Sequence, residues 1–137
     1  MKIDRRFTRR GVSPYEGLAF VKRASEIRNP DGSTVFKLEN IDVPETWSQL
    51  AVDILAQKYF RKAGIPQHDQ TGQPLVGSDG KPVLGGEQDA RQVFERMAGC
   101  WTHWGKSHGY FKTPEDAESF HDEMCYMLAH QMAAPNS

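Results

Sequence analysis

Cys100, His103 and His108, with His121 and Cys125 at i, i+4, are the side chains of this chain best suited to hold a metal or attack a substrate. A zinc site needs three or four such ligands converging on a tetrahedron. Neither Cys-x-x-Cys nor His-Glu-x-x-His occurs, so no metal is expected, and packing and helix-end hydrogen bonds are the expected roles. Gly99 followed by Gly105-Lys106-Ser107 approaches a phosphate loop, which needs four residues between its glycines so that successive N–H groups wrap a phosphate. Here five intervene, and a helical segment precedes them. Ser48 lies in a helical first turn and outside any Gly-x-Ser-x-Gly elbow, so a Ser-His-Asp triad is not supported. The carboxylate pairs Glu115/Asp116 and Asp122/Glu123 are expected on polar helix faces. No catalytic residue is assigned to the chain. Trp101 and Trp104, with His103 between them, place two large rings at i, i+3 on one face, which suits a core or an interface anchor. All three are interface candidates.

Three amphipathic helices and a hairpin must position these residues, an α+β arrangement that is mainly α. Residues 1–17 read as an irregular basic arm broken by Gly11, Pro14 and Gly17. Residues 18–137 read as one helical domain. Its hairpin spans 18–41 about the turn Asn29-Pro30-Asp31-Gly32, with Asp and Gly where a type I turn and a following left-handed residue want them. Two strands alone are marginal in water, so the hairpin must lean on another element. A first helix is expected over 44–62, started by Pro44 and stopped by Gly64 and Pro66, with Trp47, Leu50, Ala51, Ile54, Leu55 and Tyr59 as its apolar stripe. Residues 64–86 hold six glycines and three prolines and read as a long surface loop, hairpin-like over 72–86, either functional or a tolerated insertion. Helices follow over 87–106 and 114–133. The first carries Ala90, Val93, Phe94, Met97, Trp101 and Trp104 on one face. The second has Thr113 as N-cap, Pro114 at the first position and an acidic first turn.

Composition narrows the class. At 137 residues with 38% apolar content, the chain is one domain's length and can form a core. No apolar run approaches the roughly 18 residues of a membrane span, and Gly11, Pro14 and Gly17 interrupt any signal-peptide core after the basic start. A cytoplasmic protein is expected. Two cysteines are too few for a disulfide scaffold, so Cys100 and Cys125 read as reduced, buried thiols in helices, with a bond between them as the lesser alternative. The net charge of −1 conceals an asymmetry: residues 1–30 carry eight Lys/Arg against three acids, and the remainder nine against fifteen. Such an arm either docks on its own acidic body, frays, or binds a phosphate-bearing partner. Nucleic acid is not the expected partner, because no stacking pattern or nucleic-acid motif accompanies the charge.

Four segments change the weighting: Val43-Pro44-Glu45-Thr46-Trp47-Ser48-Gln49, Ala56-Gln57-Lys58-Tyr59-Phe60-Arg61-Lys62, Gly99-Cys100-Trp101-Thr102-His103-Trp104-Gly105 and Met132-Ala133-Ala134-Pro135-Asn136-Ser137. In this order they resemble the amino-terminal region of adenosylcobalamin (vitamin B12)-dependent, class II ribonucleotide reductases, from about Ser13 onward. The resemblance implies a larger α/β-barrel enzyme that reduces ribonucleotides, here as diphosphates, with a thiyl radical generated from adenosylcobalamin. The family's radical cysteine, redox cysteine pair and glutamate lie on the barrel that follows the Asn-Ser motif. Cys100 and Cys125 match none of them. The family's Asn-Ser-Pro segment helps hold the substrate phosphate, which maps onto Asn136 and Ser137, although Ser137 reads equally as a plain terminal residue. The resemblance further implies that the catalytic barrel is the partner, that the cofactor is bound by the complete enzyme rather than by this chain, and that the chain alone is inactive. It would pack through the Trp101/Trp104 face or the hairpin edge. The alternative is a free-standing helical adaptor whose arm binds a phosphate-bearing partner.

Overall fold

The computed structural model describes residues 1–136. Strand β1 (Phe20–Arg28) pairs antiparallel with β2 (Thr34–Pro44). Their turn closes as the residue types dictate: the Gly32 N–H donates to the Asn29 carbonyl at 2.9 Å, and Gly32 takes a φ of 89°. β2 has a parity conflict. Phe36 and Leu38 are half-buried, yet Ile41 and Val43 are fully buried, and a strict two-residue alternation cannot send all four inward. A bulge resolves it. Arg23 faces Ile41 while Ser25 faces Leu38, and Asn40 sits between them at a φ of 57°, one of the few residues that tolerates the left-handed region.

The strand continues to Pro44, beyond the expected 41, so Pro44 ends a strand rather than starting a helix. Helix α1 (Gln49–Ile54) begins later, with the Ser48 hydroxyl accepting from the Ala51 N–H at 3.2 Å. It runs directly into a π-helical turn, Leu55–Tyr59, closed by the Phe60 N–H on the Leu55 carbonyl at 3.0 Å. The expected helix over 44–62 is thus short at both ends. Its inward face also differs from the expected stripe: Val52, Leu55, Ala56 and Phe60 are buried, whereas Leu50 is 70% and Ile54 46% exposed. Gln49, Asp53 and Gln57 make one polar stripe and leave most of the circumference apolar, so periodicity alone could not select the buried side.

Residues 64–86 form a narrow ladder at the surface. Strands β3 (Ile65–Pro66) and β4 (Leu84–Gly85) pair antiparallel, and bridges His68–Pro74 and Val76–Pro82 continue the zigzag. Helix α2 (Ala90–Ser107) starts at an Asp89/Gln92 capping box, three residues later than expected. Helix α3 (Pro114–Ala129) starts at the expected Thr113 cap, closed reciprocally by Asp116. It stops four residues before the expected 133, where Gln131 turns to a φ of 56°. Gly105, in the last turn of α2, is buried under Phe111: a Cβ there would lie 2.4 Å from that ring. Close packing between α2 and the connection to α3 accounts for this glycine.

The core forms where hairpin, α1, α2 and α3 meet, and Trp47 joins all four. Its indole N–H donates to the Ala129 carbonyl at 2.9 Å, its carbonyl accepts from Arg23 at 2.8 Å, and its ring lies 5.8 Å from that of Phe94. Trp47→Phe keeps most of the apolar area but strands the Ala129 carbonyl, at an expected cost of about 1–3 kcal/mol. Leu50→Asp, at an exposed position, is expected to stay within about 0.5 kcal/mol of wild type. Urea unfolding of the two variants checks both, and equal destabilisation would contradict the assigned faces.

Candidate functional site

An apolar groove of about 210 Å³ opens between α1, α2, α3 and the segment after α3. Trp47, Leu55, Tyr59, Phe94, Met97 and Leu128 line it, and Ala133, Ala134 and Pro135 form its remaining wall. The Tyr59 hydroxyl donates to the Pro135 carbonyl, tying the backbone just ahead of Asn136 to the π-helical turn. Ile54 lies on the rim, with Leu50 and Met132 among the exposed large apolar side chains. Asn136 is exposed, and Ser137 lies outside the described residues.

The Trp101/Trp104 pair does not act as one face. Trp101 is half-buried against the core, while Trp104 is 55% exposed and His103 is exposed beside it. Helical spacing brings the rings to the same side, but the core occupies only the Trp101 end. Cys100 is exposed rather than buried, whereas Cys125 is fully buried; both are free.

The basic arm docks on α3. The Ile3 N–H donates to Asp116 at 2.8 Å, Arg5 pairs with Asp122 at 2.7 Å, and the Arg6, Phe7 and Thr8 N–H groups converge on Glu123. Phe7 stacks on Tyr126 with centroids 4.9 Å apart. Asp116 and Glu123 are therefore buried, not on a polar face as their types imply, because the arm supplies their donors. Burial alone would raise the Glu123 carboxyl, but the donated N–H groups outweigh it and hold it low.

Behind the arm, Glu95 of α2 meets His121 and Cys125 of α3. His121 Nε2 lies 2.8 Å from Glu95 Oε2 and 3.7 Å from Cys125 Sγ, and the thiol lies 3.6 Å from Glu95 Oε1. Tyr15 donates to the same carboxylate at 2.8 Å, and Asp122 stands 3.3 Å from His121 Nδ1. The contacts with Cys125 and then Glu95 push His121 up to about 11, and His121 in turn lowers Glu95. Burial first, then Cys125 and Glu95, raises the Tyr15 phenol. The i, i+4 spacing of His121 and Cys125 was visible in the sequence. Glu95 was not, since only the packing of α2 on α3 brings it there.

Asp116 gives a pH prediction. The Ile3 N–H foremost, with Thr113, lowers its carboxyl against a smaller effect of burial. A lowered folded-state value makes arm docking complete above the ordinary carboxylate value of about 3.9, and docking weakens as pH falls through the lowered value. The Ile3 amide resonance is expected to hold its shift down to about pH 4 and to move toward its unfolded position below it. A shift that moves near neutral pH would contradict the pairing.

Comparison with known proteins identifies the family. A family profile described as class II vitamin B12-dependent ribonucleotide reductase matches residues 21–131. The vitamin B12-dependent ribonucleotide reductases of Bradyrhizobium diazoefficiens and Agrobacterium fabrum are each 50% identical over 153 aligned residues, covering 100% of this chain and 12% of each relative. That of Streptomyces coelicolor is 33% identical over 139 residues, with 100% and 12% covered. The chain thus spans about 12% of the length of the curated relatives it matches. Through the profile and these matches along its own whole length, the chain belongs to the class II vitamin B12-dependent ribonucleotide reductase family, whose amino-terminal region it represents.

Proposed function

We propose that this chain is the supporting amino-terminal domain of a cytoplasmic reductase that converts ribonucleoside diphosphates to deoxyribonucleotides by adenosylcobalamin-dependent radical chemistry on a barrel outside the chain. The observation that carries this reading is the groove: an apolar surface, flanked by exposed Leu50 and Ile54, whose far wall is the segment leading to Asn136. Exposed apolar surface beside a tethered segment is what a domain presents to a larger body that covers it. Tyr59 holds the Pro135 carbonyl, so the chain reaches Asn136 from a defined point, and the Asn136 amide and the Ser137 hydroxyl are the donors this reading assigns to phosphate oxygens. His103 and Trp104 offer a second contact surface on α2.

On this reading the complete enzyme, rather than this chain, binds the cofactor. The apolar lining of the groove offers few partners for corrin amides. A second depression, of about 510 Å³ and lined by Thr102, His103, Lys106, Glu118 and His121, presents a mixture of polar and apolar surface. No step of the reaction is assigned to the chain's described residues, and the chain alone is inactive on this reading. The adaptor alternative is not favoured, because Arg5 and the N–H groups of the arm are already engaged by α3.

Reconstitution tests the proposal. The chain is mixed with the separately produced remainder of the reductase, and ribonucleoside diphosphate reduction is followed with and without adenosylcobalamin. Cofactor-dependent product only in the mixture is the expected result, and full activity of the remainder alone would refute a required role. The double variant Leu50→Asp/Ile54→Asp is expected to reduce the activity of the mixture by weakening association. Ser137→Ala in the complete enzyme is expected to raise KM for the diphosphate more than it lowers kcat.

A further inference from the structure

Glu95, His121 and Cys125 present one ligand atom each from two helices, and those atoms lie within 4.8 Å of one another. On a tetrahedral zinc ion, with bonds of roughly 2.0–2.3 Å, ligand atoms stand about 3.3–3.6 Å apart. The Sγ–Oε1 and Sγ–Nε2 separations of 3.6 and 3.7 Å already match that spacing. The 2.8 Å contact of His121 Nε2 is with the other oxygen, Oε2, so Glu95 must turn until one oxygen faces both partners, about 3.3 Å from Nε2. Glu95 can provide this, because its side chain is 46% exposed while Cys125 is fixed in the interior. We propose that these three residues form a binding site for a borderline-soft divalent transition ion, zinc foremost, with water as fourth ligand on the solvent side.

The chemistry of the donor set supports this assignment. Thiolate and imidazole select zinc-like ions over magnesium or calcium, and a carboxylate completes such sets. The thiolate and the carboxylate balance the two positive charges of the ion, which suits a half-buried position. The Asp122 carboxylate, 3.3 Å from His121 Nδ1, stands where the outer partner of a metal-bound histidine belongs, fixing the ring with Nε2 toward the ion. The ion takes Cys125 as thiolate and His121 as neutral imidazole, any proton on either ligand atom passes to solvent, and no electron moves. The ion would clip α2 to α3 where Tyr15 also joins Glu95.

Cobalt titration of the full 137-residue chain, stripped of metal and kept reduced, tests the site. One equivalent of Co²⁺ is expected to give a thiolate-to-cobalt charge-transfer band and the intense visible absorption of a tetrahedral ion, both abolished by Zn²⁺. Cys125→Ser is expected to lose the charge-transfer band and Cys100→Ser to keep it, while Asp122→Asn weakens cobalt binding by about tenfold or more. Should circular dichroism show Cys125→Ser to be unfolded, Cys125→Ala and His121→Asn make the same test. No thiolate band in the wild-type chain, or a band that survives loss of Cys125 or follows Cys100, would overturn the proposal and leave the cluster a hydrogen-bond network.

Discussion

The indole of Trp47 is the point on which the other packing decisions depend. Its N–H satisfies the Ala129 carbonyl, one of the orphan acceptors at the end of α3. Its ring fills the space against Phe94, and its own carbonyl anchors Arg23 of the hairpin. A short helix such as α1 is not stable by propensity, so its position is set by what it packs against. Trp47 supplies that packing immediately before the first turn, and the same ring lines the groove. Core and candidate docking surface therefore share one side chain.

A second constraint is electrostatic. A basic arm and an acidic α3 could each have faced solvent, yet they satisfy one another: the arm contributes backbone N–H groups, which need acceptors wherever they are buried, and α3 contributes carboxylates that burial would otherwise penalise. No buried side-chain nitrogen or oxygen lacks a partner among the described residues. Arg5 is consumed in this arrangement, whereas Arg6, Arg9 and Arg10 remain exposed. Docking of the arm therefore rests on its backbone donors more than on its positive charge.

Against this internally satisfied polar side, the groove side is unfinished. Leu50, Ile54 and Met132 are exposed near a channel walled by the segment after α3. Relatives in which this region is about 12% of the length have ample chain to cover such a face. The asymmetry between a sealed arm side and an open groove side gives the domain an orientation.

Local chemistry was legible in the sequence: the Asn29–Gly32 turn, the Thr113-Pro114 helix start and the buried Ala90, Val93 and Phe94 of α2 follow from residue types and spacing alone, whereas of the face expected for α3, Ala117, Phe120, Met124, Met127, Leu128 and Gln131, only Ala117 and Leu128 are buried. Family membership was legible too, through four ordered segments. Tertiary structure decided the rest, each time for the same reason: several local solutions were nearly equal in energy until a distant residue chose one. The segment 47–60 is apolar on most sides, and only packing selected Val52 and Phe60 over Leu50 and Ile54. The parity change between Leu38 and Ile41 required a bulge at Asn40 that the core imposes. Asp116 and Glu123 read as surface acids until the arm, more than a hundred residues away in sequence, supplied their donors. Glu95 joined His121 and Cys125 only when α2 and α3 met, since nothing in the spacing along one helix records what stands on its neighbour.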